Sequence, residues 1–368
     1  MDIVDESSLK ESGGLTSKAG SRNTEDHLPW VEKYRPKELG DLVAHEAIVS
    51  ILDKLIESNK LPHLLFHGPP GTGKTSTIKA AAKKMYGPKY ASMILELNAS
   101  DARGIDVVRD QIKEFAGTRK LFSTGVKLVV LDEADNMTND AQAALRRIIE
   151  KYTENTRFCM ICNYVNKITP ALQSRCTKFR FAPLKPEQII DRLNSIVTQE
   201  QVNISPDGIE SLLELSGGDM RRVLNLLQSA TMSYNRSNQQ ITANEVYLTA
   251  GAATPQVIDK LYLGLMTNDF TTAHSMLLEG LTQYGYALVD IVQSLSWKVL
   301  ETSFPDEATS ILISKLSDIE YRLSKGCRDS IQVGAVVGAF IIVRHKLIHP
   351  DEKEDGMNVE EVKPPAAP

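Results

Sequence analysis

The stretch HLLFHGPPGTGKTST, residues 63–77, restricts the possible folds more than any other. A run of strand character enters Gly68-Pro69-Pro70-Gly71-Thr72-Gly73-Lys74-Thr75, and a helical pattern leaves it through Ser76. The spacing is G-x-x-x-x-G-K-[ST], the phosphate loop, in the strand–loop–helix setting that such a loop needs. Gly71 and Gly73 let the backbone curl until its N–H groups converge on a phosphate, and the next helix adds the positive end of its dipole. In this reading Lys74 faces solvent and reaches the β- and γ-phosphates, while the Thr75 hydroxyl sits on Mg²⁺.

A strand followed by a helix calls for parallel partners. The runs HLLFH (63–67), MILEL (93–97), LVVL (128–131), FCMIC (158–162) and KFRF (178–181) alternate with helical patterns up to about residue 182. Brief β-rich runs separated by amphipathic helices predict an α/β domain whose parallel sheet is covered on both faces. In KLVVLDEADNM (127–137) an apolar run ends in acidic residues, where a phosphate-loop fold places its second carboxylate site. Asp132 is positioned to hold Mg²⁺ through water and Glu133 to polarise the attacking water. The letters D-E-A-D invite comparison with RNA helicases, which carry a second parallel-sheet domain. Here everything beyond about residue 182 reads helical, so that label fails on architecture.

The helical part begins after APLKPEQ. Helices are expected over 187–200, over PDGIESLLELS, from near Asp219, and over 308–323, where Ala308, Ile311, Leu312, Leu316, Ile319 and Leu323 recur at helical spacing. The longest apolar stretch, IQVGAVVGAFIIV (331–343), falls short of the ~20 residues of a membrane span and reads as a buried helix in which Gly334 and Gly338 permit close packing. Residues 1–27 read as a polar disordered arm and 351–368 as an acidic, proline-rich tail. Four cysteines and no apolar leader predict an intracellular protein. Cys159 and Cys162 form a C-x-x-C inside a strand, where this spacing sends the side chains to opposite faces, so both are expected in the core. The formal charge of −5 provides no global basic field, and any nucleic-acid contact must come from a local patch.

Many ordered motifs resemble those of the AAA+ clamp loaders, and specifically the small subunits of replication factor C. They are PWVEKYRP (29–36), PHLLFHGPPGTGKTS (62–76), ELNASDARGIDVVR (96–109), LDEAD (131–135), AALRRIIEKY (143–152), NYVNKITPALQSRC (163–176) and GDMRRVLNLLQ (218–228). The resemblance implies an ATPase domain over 28–183, a helical lid over 184–251 and an all-helical collar over 252–350. It implies ATP and Mg²⁺ as cofactors. The implied partners are the other subunits of a hetero-pentamer, a sliding clamp and primer–template DNA, in the nucleus and with no membrane.

The same resemblance assigns roles to residues. Asn163 becomes the first sensor, orienting the lytic water, and Arg221 the second sensor, with Arg222 its rival. Arg175 projects into the nucleotide site of the next subunit, where a guanidinium stabilises charge developing at the γ-phosphate. Val31, Arg35 and Val43 surround base and ribose, with Trp30 and Tyr34 either stacking on the base or packing in the core. Arg103 and Arg109 track the DNA backbone from the inner face of a subunit spiral. The intact Gly-Lys-Thr loop argues against the small subunit whose loop is degenerate, and the SRC motif against the large subunit. Two other readings remain: a Holliday-junction motor or helicase loader, marked by a β-hairpin insertion or winged helix that this sequence does not suggest, and a scaffold that binds ATP without turnover, against which stand Lys74, Glu133 and Asn163.

Overall fold

The apolar runs become strands β1 (Leu64–His67), β2 (Ile94–Asn98), β3 (Lys127–Asp132), β4 (Thr156–Cys162) and β5 (Thr177–Arg180), which form one sheet in the order β2-β3-β4-β1-β5. The computed structural model of the chain describes residues 27–42, 44–99, 105–117, 125–234 and 239–348, with only the helical backbone over 105–109. All four strand pairings are parallel. The register sets Leu64 beside Cys159, Leu131 beside Met160 and Asn98 beside Asp132, so β1, β3 and β4 release their loops at one edge. In open parallel sheets that carboxyl edge is where ligands bind.

The two-residue period of the strands divides the core. Leu64, Phe66, Leu128, Val130, Cys159 and Ile161 pack with Leu52, Ile78 and Ala81 in one cluster. Leu65, Val129, Leu131, Phe158, Met160 and Cys162 pack with Leu145, Ile148 and Ile149 in another. Cys159 and Cys162 therefore lie on opposite faces, both buried, as the strand reading requires. Burial pushes the Cys162 thiol up to about 12 and that of Cys159 well above its ordinary range, so neither is a thiolate at neutral pH.

Local signals delimit the helices. Lys74–Tyr86 starts from Gly73 at φ 91° and stops at Gly87 at φ 49°, and its buried Ala80, Ala81 and Ala82 let the helix approach the sheet closely. Asn139–Tyr152 is capped by Thr138, whose hydroxyl accepts from the Ala141 N–H. Beyond β5 the expected helices appear as Pro186–Gln199, Pro206–Ser216 and Met220–Tyr234.

The chain divides into two compact units, one holding the chain through Ile204 and again Leu212–Gln240, the other Ser205–Ser211 and the chain from Ile241 onward. In the second unit the helices Pro255–Thr267, Phe270–Gln283, Leu288–Glu301, Asp306–Ser324 and Asp329–Ile348 bury one apolar cluster. The expected 308–323 helix lies within Asp306–Ser324, with Ala308, Leu312, Leu316, Ile319 and Leu323 buried.

The apolar stretch near residue 331 needs correction on two points. It belongs to a helix of 20 residues, long and apolar enough to cross a membrane by length and composition. In this unit its Val333, Val336, Val337, Phe340 and Val343 are instead buried in the cluster. Its glycines do not serve close packing within the chain: a Cβ on Gly338 would meet nothing within 4 Å, and one on Gly334 only the Phe270 ring edge at 4.0 Å. Both are half-buried, at the margin of the face that packs.

Candidate nucleotide site

At the carboxyl edge of the sheet, within the first unit, lies a cavity of about 210 Å³. Pro70, Gly71, Thr72, Gly73, Lys74, Thr75 and Ser76 form one wall. Gly71 is fixed by conformation and by space: its φ is 69°, and a Cβ there would come within 1.6 Å of Asp219 Oδ1. Gly68 and Pro69 do not line the cavity but position those that do. Their carbonyls each accept from Lys74 Nζ at 2.7 Å, and Pro69 O also accepts from the Thr72 hydroxyl at 2.9 Å.

Lys74 departs from the expectation that it faces solvent. It is only 7% exposed, and its third acceptor is Asn163 Oδ1 at 3.0 Å. Burial holds its ammonium below the ordinary lysine range, against the opposing field of Asp132. The reason is geometric: the loop wraps around the lysine, so the same carbonyl groups that shape the phosphate cradle also satisfy the cation.

The strand ends supply the remaining groups. Asp132 Oδ2 accepts from the Thr75 hydroxyl at 2.8 Å, and its Oδ1 accepts from the Glu133 N–H at 2.9 Å. Thr75 and Asp132 thus present adjacent hard oxygens, which could hold an Mg²⁺ that retains several waters. Glu133 adopts φ 53°, rare for a residue with a Cβ, and its Oε2 accepts from Asn136 Nδ2 at 3.2 Å. Asn163 follows β4 and lines the cavity, with its own N–H and that of Tyr164 directed to Asp135 Oδ2 at 3.3 and 3.2 Å. Asp135, the last letter of D-E-A-D, is thereby the support for Asn163, a role that only strand order reveals.

From the helical segment Arg221 lines the cavity and its rival Arg222 does not. Asp219, which sequence reading passed over, accepts from the N–H groups of both arginines at 2.8 and 3.2 Å and so caps the helix Met220–Tyr234. Val31 and Arg35 line the cavity, while Val43 lies outside the described residues. Trp30 is buried and belongs to the core, and its backbone N–H donates to Gln228 Oε1 at 3.0 Å. Tyr34 lines the cavity, but its hydroxyl donates to Glu200, which also pairs with Lys33 at 2.6 Å. Arg192, His45 and Leu42 are further wall residues that no motif marked, and Leu224, inside the GDMRRVLNLLQ motif, is another.

Arg175 does not line the cavity. It is 36% exposed, paired with Glu150 at 2.6 Å and donating to Ala171 O at 2.6 Å. Arg103 lies outside the described residues; Arg109 falls on the helix Ile105–Gly117, where its side chain is not described. Among the described residues no group of three or more His, Cys, Asp or Glu side chains could hold a metal.

A parallel sheet with this loop, this carboxylate pair and a helical segment contributing Arg221 defines a P-loop ATPase of the AAA+ class. The sequence matches the ATPase family associated with various cellular activities over 64–184, the RFC1-like AAA+ ATPase lid domain over 186–246 and the replication factor C C-terminal domain over 253–339. It is 51% identical over 323 residues to replication factor C subunit 5 of Mus musculus, covering 88% of this chain and 94% of that protein. To replication factor C subunit 3 of Saccharomyces cerevisiae it is 49% identical over 327 residues, 88% of this chain and 96% of that protein. The chain belongs to the replication factor C subunits, an AAA+ ATPase that acts within a multi-subunit complex. The RuvB Holliday junction branch migration motor of Thermotoga maritima aligns with a TM-score of 0.50 over 74% of this chain and 99% of that chain, and at 14% identity it shares the fold alone.

Proposed function

We propose that this chain binds and hydrolyses ATP as a subunit of the replication factor C clamp loader, which opens the sliding clamp, proliferating cell nuclear antigen, and places it on primer–template DNA in the nucleus. The observation that carries the reading is the convergence of Lys74, Thr75, Asp132, Glu133 and Asn163 on one cavity at the edge of a parallel sheet. Lys74 and the loop N–H groups bind the phosphates. Thr75 and Asp132 would hold Mg²⁺, which when bound neutralises phosphate charge. Glu133 takes a proton from the attacking water, and Asn163 orients that water while its amide oxygen restrains Lys74. Arg221 reaches the phosphates from the lid, and Val31, Arg35 and Val43 enclose base and ribose.

Arg175 serves a neighbouring subunit, and its absence from this chain's own cavity supports that role. DNA contact falls to Arg103 and Arg109 as backbone-tracking cations without a base code. In the assembled complex Glu133→Gln is expected to retain ATP, because the loop and Lys74 are intact, and to stop turnover at this site. Single-turnover hydrolysis together with nucleotide retention checks it. Unchanged hydrolysis and clamp release in the variant would remove Glu133 from the mechanism.

A further inference from the structure

Arg175, outside this chain's own cavity, is held in place by several contacts within the chain. It follows the short helix Pro170–Gln173, and that turn is pinned at its backbone. Gln173 Nε2 donates to Val165 O at 3.0 Å and to Ile168 O at 2.6 Å, and the Arg175 backbone N–H donates to Leu172 O at 3.1 Å. The side chain is fixed as well. Its Nη1 donates to Ala171 O at 2.6 Å, and its Nη2 lies 2.6 Å from Glu150 Oε1. Glu150 stands in the last turn of Asn139–Tyr152, so the guanidinium is restrained from two separate helices.

The pair contributes little to stability. The Arg175 and Glu150 side chains are 36% and 45% exposed, and the Coulomb gain of an ion pair so open to water is largely offset by the ordering of two long side chains. Nor does Glu150 cancel the charge of Arg175. Arg146, one turn earlier on the same helix, brings its Nε to 3.8 Å from the same Glu150 oxygen, and two guanidinium groups against one carboxylate leave the cluster positive. Ala171 O and Glu150 engage only part of the N–H fork of Arg175, and the rest remains for a phosphate.

We propose that Glu150 is a positioning residue, which aims the Arg175 guanidinium at the γ-phosphate bound by a neighbouring subunit. This rests on reading Arg175 as a cation that serves the neighbour's site. A free arginine side chain would lose rotamer freedom on reaching that phosphate, whereas one already restrained acts as a preorganised charge. The carboxylate touches no substrate and works only through Arg175.

The test is single-turnover hydrolysis as a function of ATP concentration in the assembled complex, with partner subunits disabled one at a time so that the neighbour's site and this chain's own site are read separately. Arg175→Ala is the reference, and should slow the neighbour's site about 10³-fold. Glu150→Gln keeps the shape of the side chain and removes its charge. It should slow the same site roughly ten- to hundredfold, the scale of a misplaced catalytic group, and leave unchanged both the half-saturating ATP concentration there and the rate at this chain's own site. In the Arg175→Ala background, Glu150→Gln should add no further loss, because nothing remains to be positioned. A defect of folding or assembly would instead add its full loss in that background. Unchanged or faster hydrolysis next door in Glu150→Gln, or a full additional loss in the Arg175→Ala background, would overturn the proposal while leaving Arg175 its role. Undiminished hydrolysis next door in Arg175→Ala would instead overturn the role of Arg175 itself, and the proposal with it.

Discussion

Lys74 Nζ satisfies three acceptors while almost fully buried, so its charge is as much a structural element of the loop as a ligand for phosphate. Replacing it by Ala leaves the carbonyls of Gly68 and Pro69 and the Asn163 amide oxygen without their donor. Unpaired buried groups of this kind cost about 1–3 kcal/mol. Lys74→Ala is therefore expected both to abolish nucleotide binding and to lower the unfolding midpoint by several degrees in the absence of nucleotide. A lysine that only faced solvent would leave the midpoint unchanged, and differential scanning calorimetry of the nucleotide-free variant distinguishes the two. At the same scale the sequence marked Gly71 for its backbone freedom within the loop, but not for its second constraint. The Asp219 carboxylate against it arrives from a helix that begins almost 150 residues later, and no local pattern announces that approach.

Beside the backbone ladder that joins β1 to β4, a histidine with no place in the chemistry adds a side-chain link. His63, just before β1, accepts from the Phe158 N–H through Nδ1 at 3.2 Å, and its Nε2 lies 3.4 Å from the Thr153 hydroxyl. Burial, aided by the Arg157 charge, lowers its pKa from 6.5 to about 4. An Nδ1 that must accept cannot be protonated without breaking this link. Between about pH 6.5 and 4 the unfolded chain binds a proton at this residue that the folded chain does not, so stability is fully present above 6.5 and falls as pH drops toward 4. The gap corresponds to about 3 kcal/mol. His63→Asn, which retains an acceptor but does not titrate, is expected to make the stability–pH curve shallower in this window by up to about 1.4 kcal/mol per pH unit. Urea unfolding of both proteins at pH 6.5, 5.5 and 4.5 measures the difference, and parallel curves would assign the acid sensitivity to the carboxylates alone.

Across the whole molecule, one cation singled out by its motif lies away from this chain's own pocket. Arg175 pairs with Glu150 on the surface and does not line this chain's cavity, so its removal should spare the chain's own ATP affinity. If it completes a neighbour's site, the isolated chain binds ATP yet hydrolyses it slowly, and Arg175→Ala slows hydrolysis next door, where such arginines are worth about 10³ or more in rate. Mixing Arg175→Ala chain with wild-type partners whose own sites are disabled one at a time locates the defect. A defect confined to this chain's pocket, or an isolated chain as fast as the complex, would refute the arrangement.

The sequence by itself determined the strands, the phosphate loop, the acidic strand end and the switch to helices after residue 182. Each of these rests on short-range physics: a two-residue period that sent Cys159 and Cys162 to opposite faces, glycines at positive φ, and a charge placed where an apolar run stops. Only the tertiary structure decided that Lys74 is enclosed, that Asp135 supports Asn163 from 28 residues away, and that Arg221 rather than Arg222 faces the cavity. It also decided that Gly334 and Gly338 sit at the margin of their helix's packed face, and that His45 joins the wall of the cavity. These are properties of side chains meeting across strand order and helix rotation. A linear pattern records which groups a chain possesses, whereas the partner that each one reaches depends on which distant backbone the packed core brings within about 3 Å.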